Sequence, residues 1–477
     1  MFAKTLAVVL AAPQYVARAN DNTALIPEVW APEALMTLMS NTIMGSLVHR
    51  DFSDNVASFG DVVNTSRPAD FTGKRKTDAD NVVDQDASSP NIRVPLDQHF
   101  HVSFVIKDGE LTKALPNLLE RYMEPAAREL AESIDRVLTG QVARLLANQV
   151  GEADSVTSLN VDEYVLDADE KLNDNRAPAA NRYLVMSTRF NRAALGAEIV
   201  THADKRGDGG AALEDARVGK IYGFNSFMDQ NVPYVSVSDA EIADGTPGVT
   251  DGAEVKGATV VETTVTTTEV VTAGGEYVTI AGSAYLHRIA SAADNAGDAD
   301  ITLVEGLTAD VPAGAAVTVY KAAATNGAQA ADYSKEISVD GFAANKGPQV
   351  GQILTWGTGV SSHSYTVIAV TKTSTTEYAV LLDRPLDSAI ADNDLVYPGP
   401  AGSRNIGFTR DAIALVSRPL VLVPSSSGAN SAVANFDGLS MRVTMQYGSK
   451  SQGHRVTFDL LCGVAILDER LAVVVNS

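Results

Sequence analysis

The chain has 477 residues, and at the usual ~150 residues per domain it exceeds one ordinary domain. Its formal net charge of -22, from 37 Lys+Arg against 59 Asp+Glu, excludes a protein that grips nucleic acid along its whole surface, since such proteins carry basic faces that displace counterions from phosphates. Hydrophobic content of 45% supplies real cores, 36 Gly and 18 Pro supply many turns, and the single cysteine, Cys462, excludes an intrachain disulfide and fits a reducing compartment.

The first residues, MFAKTLAVVLAAPQYVARAN, imitate a secretory signal: Lys4, an apolar run from Leu6 to Ala12, and Ala17-Arg18-Ala19 where a cleavage site would stand. The run is short and Pro13 ends it, so the segment reads as part of the working chain. No stretch approaches the ~18 to 20 apolar residues of a membrane-spanning helix, which predicts a soluble protein.

In IPEVWAPEALMTLMSNTI, Leu35, Leu38 and Ile43 recur at roughly helical intervals, giving a helix or an arm that docks on a neighbour. DNVASFGDVVNTSRP then alternates like a strand, and a polar, charged stretch follows. From Ile92 to Ile106 the alternation returns, with Val94, Leu96, Gln98, Phe100, Val102, Phe104 and Ile106 on one side. Two strands joined by a long polar tip make an extended hairpin. An isolated two-stranded ribbon is marginal in water. No adjacent domain offers itself in the local sequence, so the hairpin is expected to be held by a neighbouring subunit.

Between Leu115 and Val150 the period becomes helical: Leu119, Met123, Ala126, Leu130, Ile134, Val137, Val142 and Leu145 share one face, and Glu120, Arg121, Glu129, Glu132, Asp135 and Arg136 take the others. Pro116 suits a helix start, and Pro125 bends the helix or separates its first turns. NRYLVMSTRFNRAALG reads as a buried strand, Tyr183 to Met186, feeding a short helix. The loop HADKRGDGGAA and the segment LEDARVGKIYGFNSFMDQNVP follow, the latter ending strand-like. The mixture suggests an α+β or α/β core.

Residues 235–402 are Thr-rich, alternating and Gly-punctuated, an all-β insertion. A weak internal repeat runs through it, Tyr285 and Tyr320 recurring about 80 residues on as Tyr365 and Tyr397, so two small barrels or sandwiches in series are expected. NIGFTRDAIALVSRPL returns the chain to the core, with Ile406, Phe408, Ile413, Ala414, Leu415 and Val416 inside. The tail gives two strands around a turn and a short apolar end.

Catalytic motifs are missing. The seven histidines, His49, His99, His101, His202, His287, His363 and His454, have no ligand spacing beyond His99-x-His101 on one strand face, which reads as a surface feature of the hairpin, a metal site being the lesser reading. KRGDGG, Lys205 to Gly210, lacks the phosphate-loop arrangement, and its RGD triplet reads as loop. No nucleophile elbow occurs. The acidic stretches DADNVVDQD and DNAGDADITL read as solvated loops, a Ca²⁺ site being the lesser reading. No cofactor is implied.

MEPAARELAESIDRVL, STRFNRAALG with GKIYGFNSFMDQNVP, NIGFTRDAIALVSRPL and GLSMRVTMQYGSKSQGHRVTFDLLCGVAILDERLAVV, in that order, resemble the major capsid (coat) proteins of tailed bacteriophages, podovirus type with an inserted β-domain. The resemblance implies an α+β chain of the Hong Kong 97 type phage capsid fold. It implies an N-terminal arm over 1–50, an extended β-hairpin loop over 51–107, and a peripheral domain with a long spine helix over 108–159. The axial domain would take 160–234 and, on its return, 403–436; the inserted β-domain would take 235–402 and the peripheral β-strands 437–477. Residues 235–330 exceed the single inserted domain expected of such a protein. The function implied is a structural, non-catalytic shell protein that self-assembles into hexamers and pentamers of an icosahedral capsid, enclosing the DNA genome without sequence-specific binding or membrane. Portal and scaffolding proteins would be partners, and the shell would be assembled in the host cytoplasm and kept in the virion. The other reading is a secreted adhesin or surface-layer protein with β-repeat domains; the Thr-rich section suits it, and the long helix and α+β core do not. Within the hairpin tip, Lys74, Arg75 and Lys76 form the densest basic cluster of an acidic chain and are the intersubunit contact candidates.

Overall fold

The structure, a computed structural model, describes residues 27–50, 62–66, 91–107, 122–151, 156–201, 218–235 and, with interruptions, 246–477, together with 71–73, 75–76 and 84–85. The signal-like segment, residues 115–121 of the expected helical region and the loop HADKRGDGGAA lie outside these. The protein is of mixed α+β class. Among the described residues the helices of nine residues or longer are α1 (Pro27–Asn41), α2 (Glu124–Gly140), α3 (Val161–Asp174) and α4 (Thr188–Gly196).

One sheet is organised by the 14-residue strand Gly453–Ile466. Leu439–Gly448 pairs antiparallel along one side of it, with Ala429–Phe436 outside. Ile413–Arg418 continues that side against Leu461 to Ile466, where Ser417 meets Ser440, and Gln98–Lys107 takes the other side against Gly453 to Cys462. The strand's two faces differ in what they can receive. Val456, Phe458, Leu460, Cys462 and Val464 point into the main hydrophobic cluster with α1 and α2, where Trp30, Leu35, Leu38, Leu130 and Ile134 are buried. Trp30 stacks on Phe458 with ring centroids 6.3 Å apart. Each such side chain contributes roughly 1.5–3 kcal/mol by leaving water. The opposite face carries the small residues Gly463 and Ala465, and there the hairpin crosses. A Cβ on Gly463 would lie 2.0 Å from the carbonyl oxygen of Pro95, so the crossing requires glycine.

The apolar face read from the long helix is buried as expected, from Met123 through Leu145. Pro125 sits in the first turn, where its missing N–H costs nothing. The helix is shorter than its sequence period, however. It stops at Gly140, continues as 3-10 turns (Gln141–Arg144 and Leu146–Asn148), and becomes a short strand, Gln149–Val150. The reason is packing: at Gly140 the backbone lies against a β unit, and a Cβ there would fall 2.8 Å from Ile368 and 3.0 Å from Asp383.

The second sheet runs in the order Gln149–Val150, Ala472–Asn476, Gly402–Thr409, Arg182–Met186, Phe224–Met228, Lys220–Ile221. Helices α3 and α4 cover it through Val165, Leu172, Phe190, Val473 and Val475. Ser187 caps α4 by accepting from the Phe190 N–H at 3.2 Å. Arg182, 1% exposed, is satisfied by Asp169, by Asn173 Oδ1 at 2.8 Å and by the carbonyls of Ala177 and Pro178. The return stretch is divided between the sheets: Gly402–Thr409 belongs to this one, Ile413–Arg418 to the other, and the chain crosses over at Arg410–Ala412. The final strand likewise leaves its C-terminal neighbours and pairs with Gly402–Thr409.

Residues 246–398 form two β units. If the strands of each are numbered one to six in chain order, the first (246–321) has the order 2-5-4-3-6-1, and the second (323–398) has the same order closed into a barrel by pairing of one with two. In the first unit an antiparallel bridge between Thr250 and Thr263, with the Asp251 N–H donating to the Glu262 carbonyl at 2.9 Å, draws one toward two. The pairing also corrects the tyrosine match. Tyr320 faces Tyr277 as Gly399 faces Ile353, so Tyr397 corresponds to Thr318 and Tyr365 to His287. Each unit has its own apolar cluster. A fragment of residues 240–400 is therefore expected to fold alone, with a β-type circular dichroism spectrum and a cooperative thermal transition; a disordered-chain spectrum would contradict the reading of these units as self-contained.

Candidate assembly surfaces

Val62–Ser66 and Asn91–Pro95 pair antiparallel over five residues. The long alternation after Asn91 is divided, because the strand breaks at Leu96 and Asp97 before Gln98–Lys107 enters the sheet. The hairpin also has a neighbour in its own chain, contrary to expectation. Val63 and Val94 are buried against Ala414, Val416 and Ala465. Local sequence could not show this, since those residues lie more than 300 positions away. Farther out, Gln85 holds Thr72 by accepting from its N–H at 2.9 Å and donating to its carbonyl at 2.6 Å. Next to that clamp Phe71 is 65% exposed, and beyond it Arg75 and Lys76 stand in solvent; Lys74 lies outside the described residues.

Val421 and Leu422, 82% and 55% exposed, form a second surface. Their loop is held in place: Arg442 donates to the Val421 carbonyl at 2.8 Å while paired with Asp459 at 2.7 Å, and the Val423 N–H donates to Ser431 Oγ at 2.8 Å. Exposed apolar side chains held in place on a loop are a candidate contact surface. A third lies on the second sheet, where Tyr183, Met186, Val218, Phe227 and Met228 line a cavity of about 800 Å³.

Two joints position these surfaces. At the first, Asp135 reaches out of α2 and accepts from the backbone N–H groups of Ile43 at 2.9 Å and Gly45 at 3.0 Å, pinning the turn after α1. Helical periodicity assigns Asp135 to a polar outer face, yet it is 0% exposed. Burial first, and then the charge of Asp229, push its carboxyl up to about 7, with the backbone donors pulling the other way. At the second joint, Thr366 Oγ1 donates to the Gly140 carbonyl at 2.7 Å, and buried Asp383 accepts from the Thr366 N–H at 2.8 Å. Arg384 bridges Asp383 at 3.0 Å and Asp387 at 3.1 Å, donates to the Ser364 carbonyl, and lies 4.3 Å from the Tyr365 ring. The Asp383 carboxyl is raised by burial against the pull of Arg384. Breaking such a buried pair is expensive because it leaves one charge uncompensated. Close by, Gly351 (φ +83) abuts Pro233, where a Cβ would fall 1.7 Å from the ring.

The pair His99 and His101 is exposed on the strand beside Gly453–Ile466, and among the described residues no group of three or more ligating side chains could hold a metal ion. Cys462 is buried, which pushes its thiol pKa up.

The body has two sheets, a long buried helix and several exposed apolar and basic patches. Residues 19–344 match the family model described as P22 coat protein, gene protein 5. The chain belongs to the P22 coat protein family and is a structural major capsid protein of the virion capsid. The adhesin reading finds no support. Solved structures to which the chain is similar include one of Mycobacterium phage Che8, 13% identical with 91% of each chain covered and a TM-score of 0.43. Another is the capsid of the cyanophage P-SCSP1u, 10% identical, covering 91% of this chain and 89% of that one at a TM-score of 0.43. The mature capsid of bacteriophage PhiM1 is 8% identical, with 87% and 82% covered and a TM-score of 0.39. No curated protein matches.

The raised Asp135 carboxyl has a definite signature. The folded state keeps a proton that the unfolded chain, titrating near ~3.9, has lost, so its contribution to stability falls as pH rises from about 4 to about 7 and is level above that. Asp135→Asn cannot titrate and keeps one carbonyl acceptor for the two N–H groups, an expected loss of about 1 kcal/mol at pH 5. Urea midpoints at pH 5 and pH 8 should show the gap between wild type and variant narrowing at the higher pH; parallel pH profiles would refute the assignment.

Proposed function

We propose that this coat protein closes into an icosahedral shell of hexamers and pentamers that encloses the DNA genome of a tailed phage. The fold is of the Hong Kong 97 type, and the β units 246–398 form an insertion on its body. The observation that carries the proposal is the family match over residues 19–344. The geometry supports it: the hairpin, the Val421 loop and the Phe227 face each present contact residues outside a body whose own cores are filled. In this reading the N-terminal arm, the hairpin and the peripheral region around α2 make contacts between subunits, and the sheet containing Arg182–Met186 is axial. Many modest interfaces repeated by symmetry hold the shell together. Portal and scaffolding proteins are its partners during assembly in the host cytoplasm. The net charge of -22 keeps contact with enclosed DNA weak.

Electron microscopy of the concentrated full chain, alone and with scaffolding protein, is the direct test. Closed shells and capsomers are expected, and sheets or persistent monomers under both conditions would overturn the proposal.

The hairpin tip carries a more specific expectation, that Lys74, Arg75 and Lys76 meet an acidic surface of a neighbouring subunit. Exposed pairs are worth only ~0.2–1 kcal/mol each, but a shell repeats the contact at every subunit, and opposite charges set orientation and association rate. Reversing Lys74, Arg75 and Lys76 to Glu should leave the circular dichroism of the subunit unchanged while shell yield in sedimentation drops. Normal shells would mean that the tip makes no important electrostatic contact, and an unfolded variant would place the cluster in the fold instead.

A further inference from the structure

The two β units match in more than strand order. In the first, Glu254 and Val311 exchange backbone hydrogen bonds at 2.8 Å each way, and in the second Gln329 and Ile390 do so at 2.8 and 2.9 Å. The Gly257 N–H donates to the Leu307 carbonyl as that of Asp332 does to Leu386, both at 2.8 Å. Left-handed backbone recurs at Gly257 and Asp332 and again at Gly314 and Asn393. Register shifts follow Ile289 in one unit and Val367 in the other. These are two copies of one module in tandem, with backbone detail retained after the side chains diverged.

The copies also dock with the same face. In the proximal copy, 323–398, the cross-strand pair Ile353 and Thr366 faces the body: Ile353 belongs to the main core cluster and Thr366 bonds to Gly140. The equivalent pair in the distal copy, 246–321, is Tyr277 and Arg288. Tyr277, stacked on Tyr320 at 5.2 Å, is buried in the apolar cluster of the proximal barrel, and Arg288 lies 5.4 Å from the Tyr397 ring. The proximal copy thus rests on the body, and the distal copy rests on the proximal one. At the position of Tyr397, the ring that receives Arg288, the distal copy has Thr318. Terminal modules of stacked arrays carry polar outer faces in the same way, because nothing packs on them.

Resting on the shell reading above, we infer that the Tyr277, Arg288 and Tyr320 face is a barrel-docking surface whose partner is the barrel 323–398, and that the distal copy is an accessory module which shell closure does not use. Among the described residues the proximal copy braces the body, with Thr366, Ile368 and Asp383 packed on Gly140. The distal copy's own apolar cluster draws only on residues within 258–319.

Thr246 and Val319 face each other across a ladder, so residues 246–319 can be replaced in the full chain by a short Gly-Ser linker. Tyr397→Thr is added so that the uncovered face is polar. Shells should form from this variant with the yield and sedimentation of the full chain. A folded, soluble variant that fails to assemble, while the full chain succeeds, overturns the inference; failure of the full chain itself would count against the shell reading instead. A second variant guards against misfolding of the first. Tyr277→Ser with Arg288→Ser in the full chain should undock the distal copy, seen as faster proteolytic release of that module from intact shells. Unchanged release would refute the docking face, and loss of shells would refute the accessory role.

Discussion

The strand Gly453–Ile466 imposes the constraint on which the rest of the body depends. It has to be apolar on one face to hold α1 and α2 and small at Gly463 and Ala465 on the other to let the hairpin cross. Its length lets Ile413–Arg418 and Leu439–Gly448 share one edge in succession while Gln98–Lys107, from a distant part of the chain, takes the other. Because one rigid element fixes the hairpin, the helices and the return stretch, the projecting surfaces keep a set geometry relative to one another. A protein that must repeat the same contacts around a closed surface needs that property more than it needs any single strong interaction.

The β units attach through a different kind of contact. At Gly140 and Gly351 backbone meets neighbour with no room for a methyl group, and buried Asp383 and Arg384 fix orientation rather than add affinity. Asp135, in the same C-terminal half of α2 as Gly140, does comparable work. Both joints place a carboxylate where burial alone would expel it and compensate it with N–H donors or a guanidinium.

Much of this was legible in the sequence wherever period decides burial. Val94, Ile106, Leu130, Ile134, Ile406, Phe408 and Leu415 are inside as alternation or helical spacing requires. What was hidden depends on residues far apart. Asp135 has the spacing of an outer-face residue, and only the turn at Ile43 to Gly45 makes it an inner one. The early end of α2 follows from Ile368 and Asp383, over 220 positions on. The repeat was visible through its tyrosines, but matching them aligns Tyr320 with Tyr397, two residues out of register, since the copies preserve turns and hydrogen bonds and not aromatic positions. Of the contact candidates, the basic run was obvious in an acidic chain, whereas Val421 and Leu422 resemble core residues until Arg442 is seen holding them outward.

Where the β units leave the body, Tyr234–Val235 pairs with Gly402–Ser403, so the outgoing and returning chains run side by side. The second sheet therefore cannot be completed from one continuous stretch of chain. Its middle strand, Gly402–Thr409, is synthesised only after both β units, and its partner Ala472–Asn476 later still. Contacts of such high sequence separation form slowly, while each β unit closes from local pairings. During synthesis the appended modules can fold while Leu184 and Phe224, both buried in the finished sheet, still await their cover. The order of the chain makes the β units the first to mature and the sheet that receives them the last.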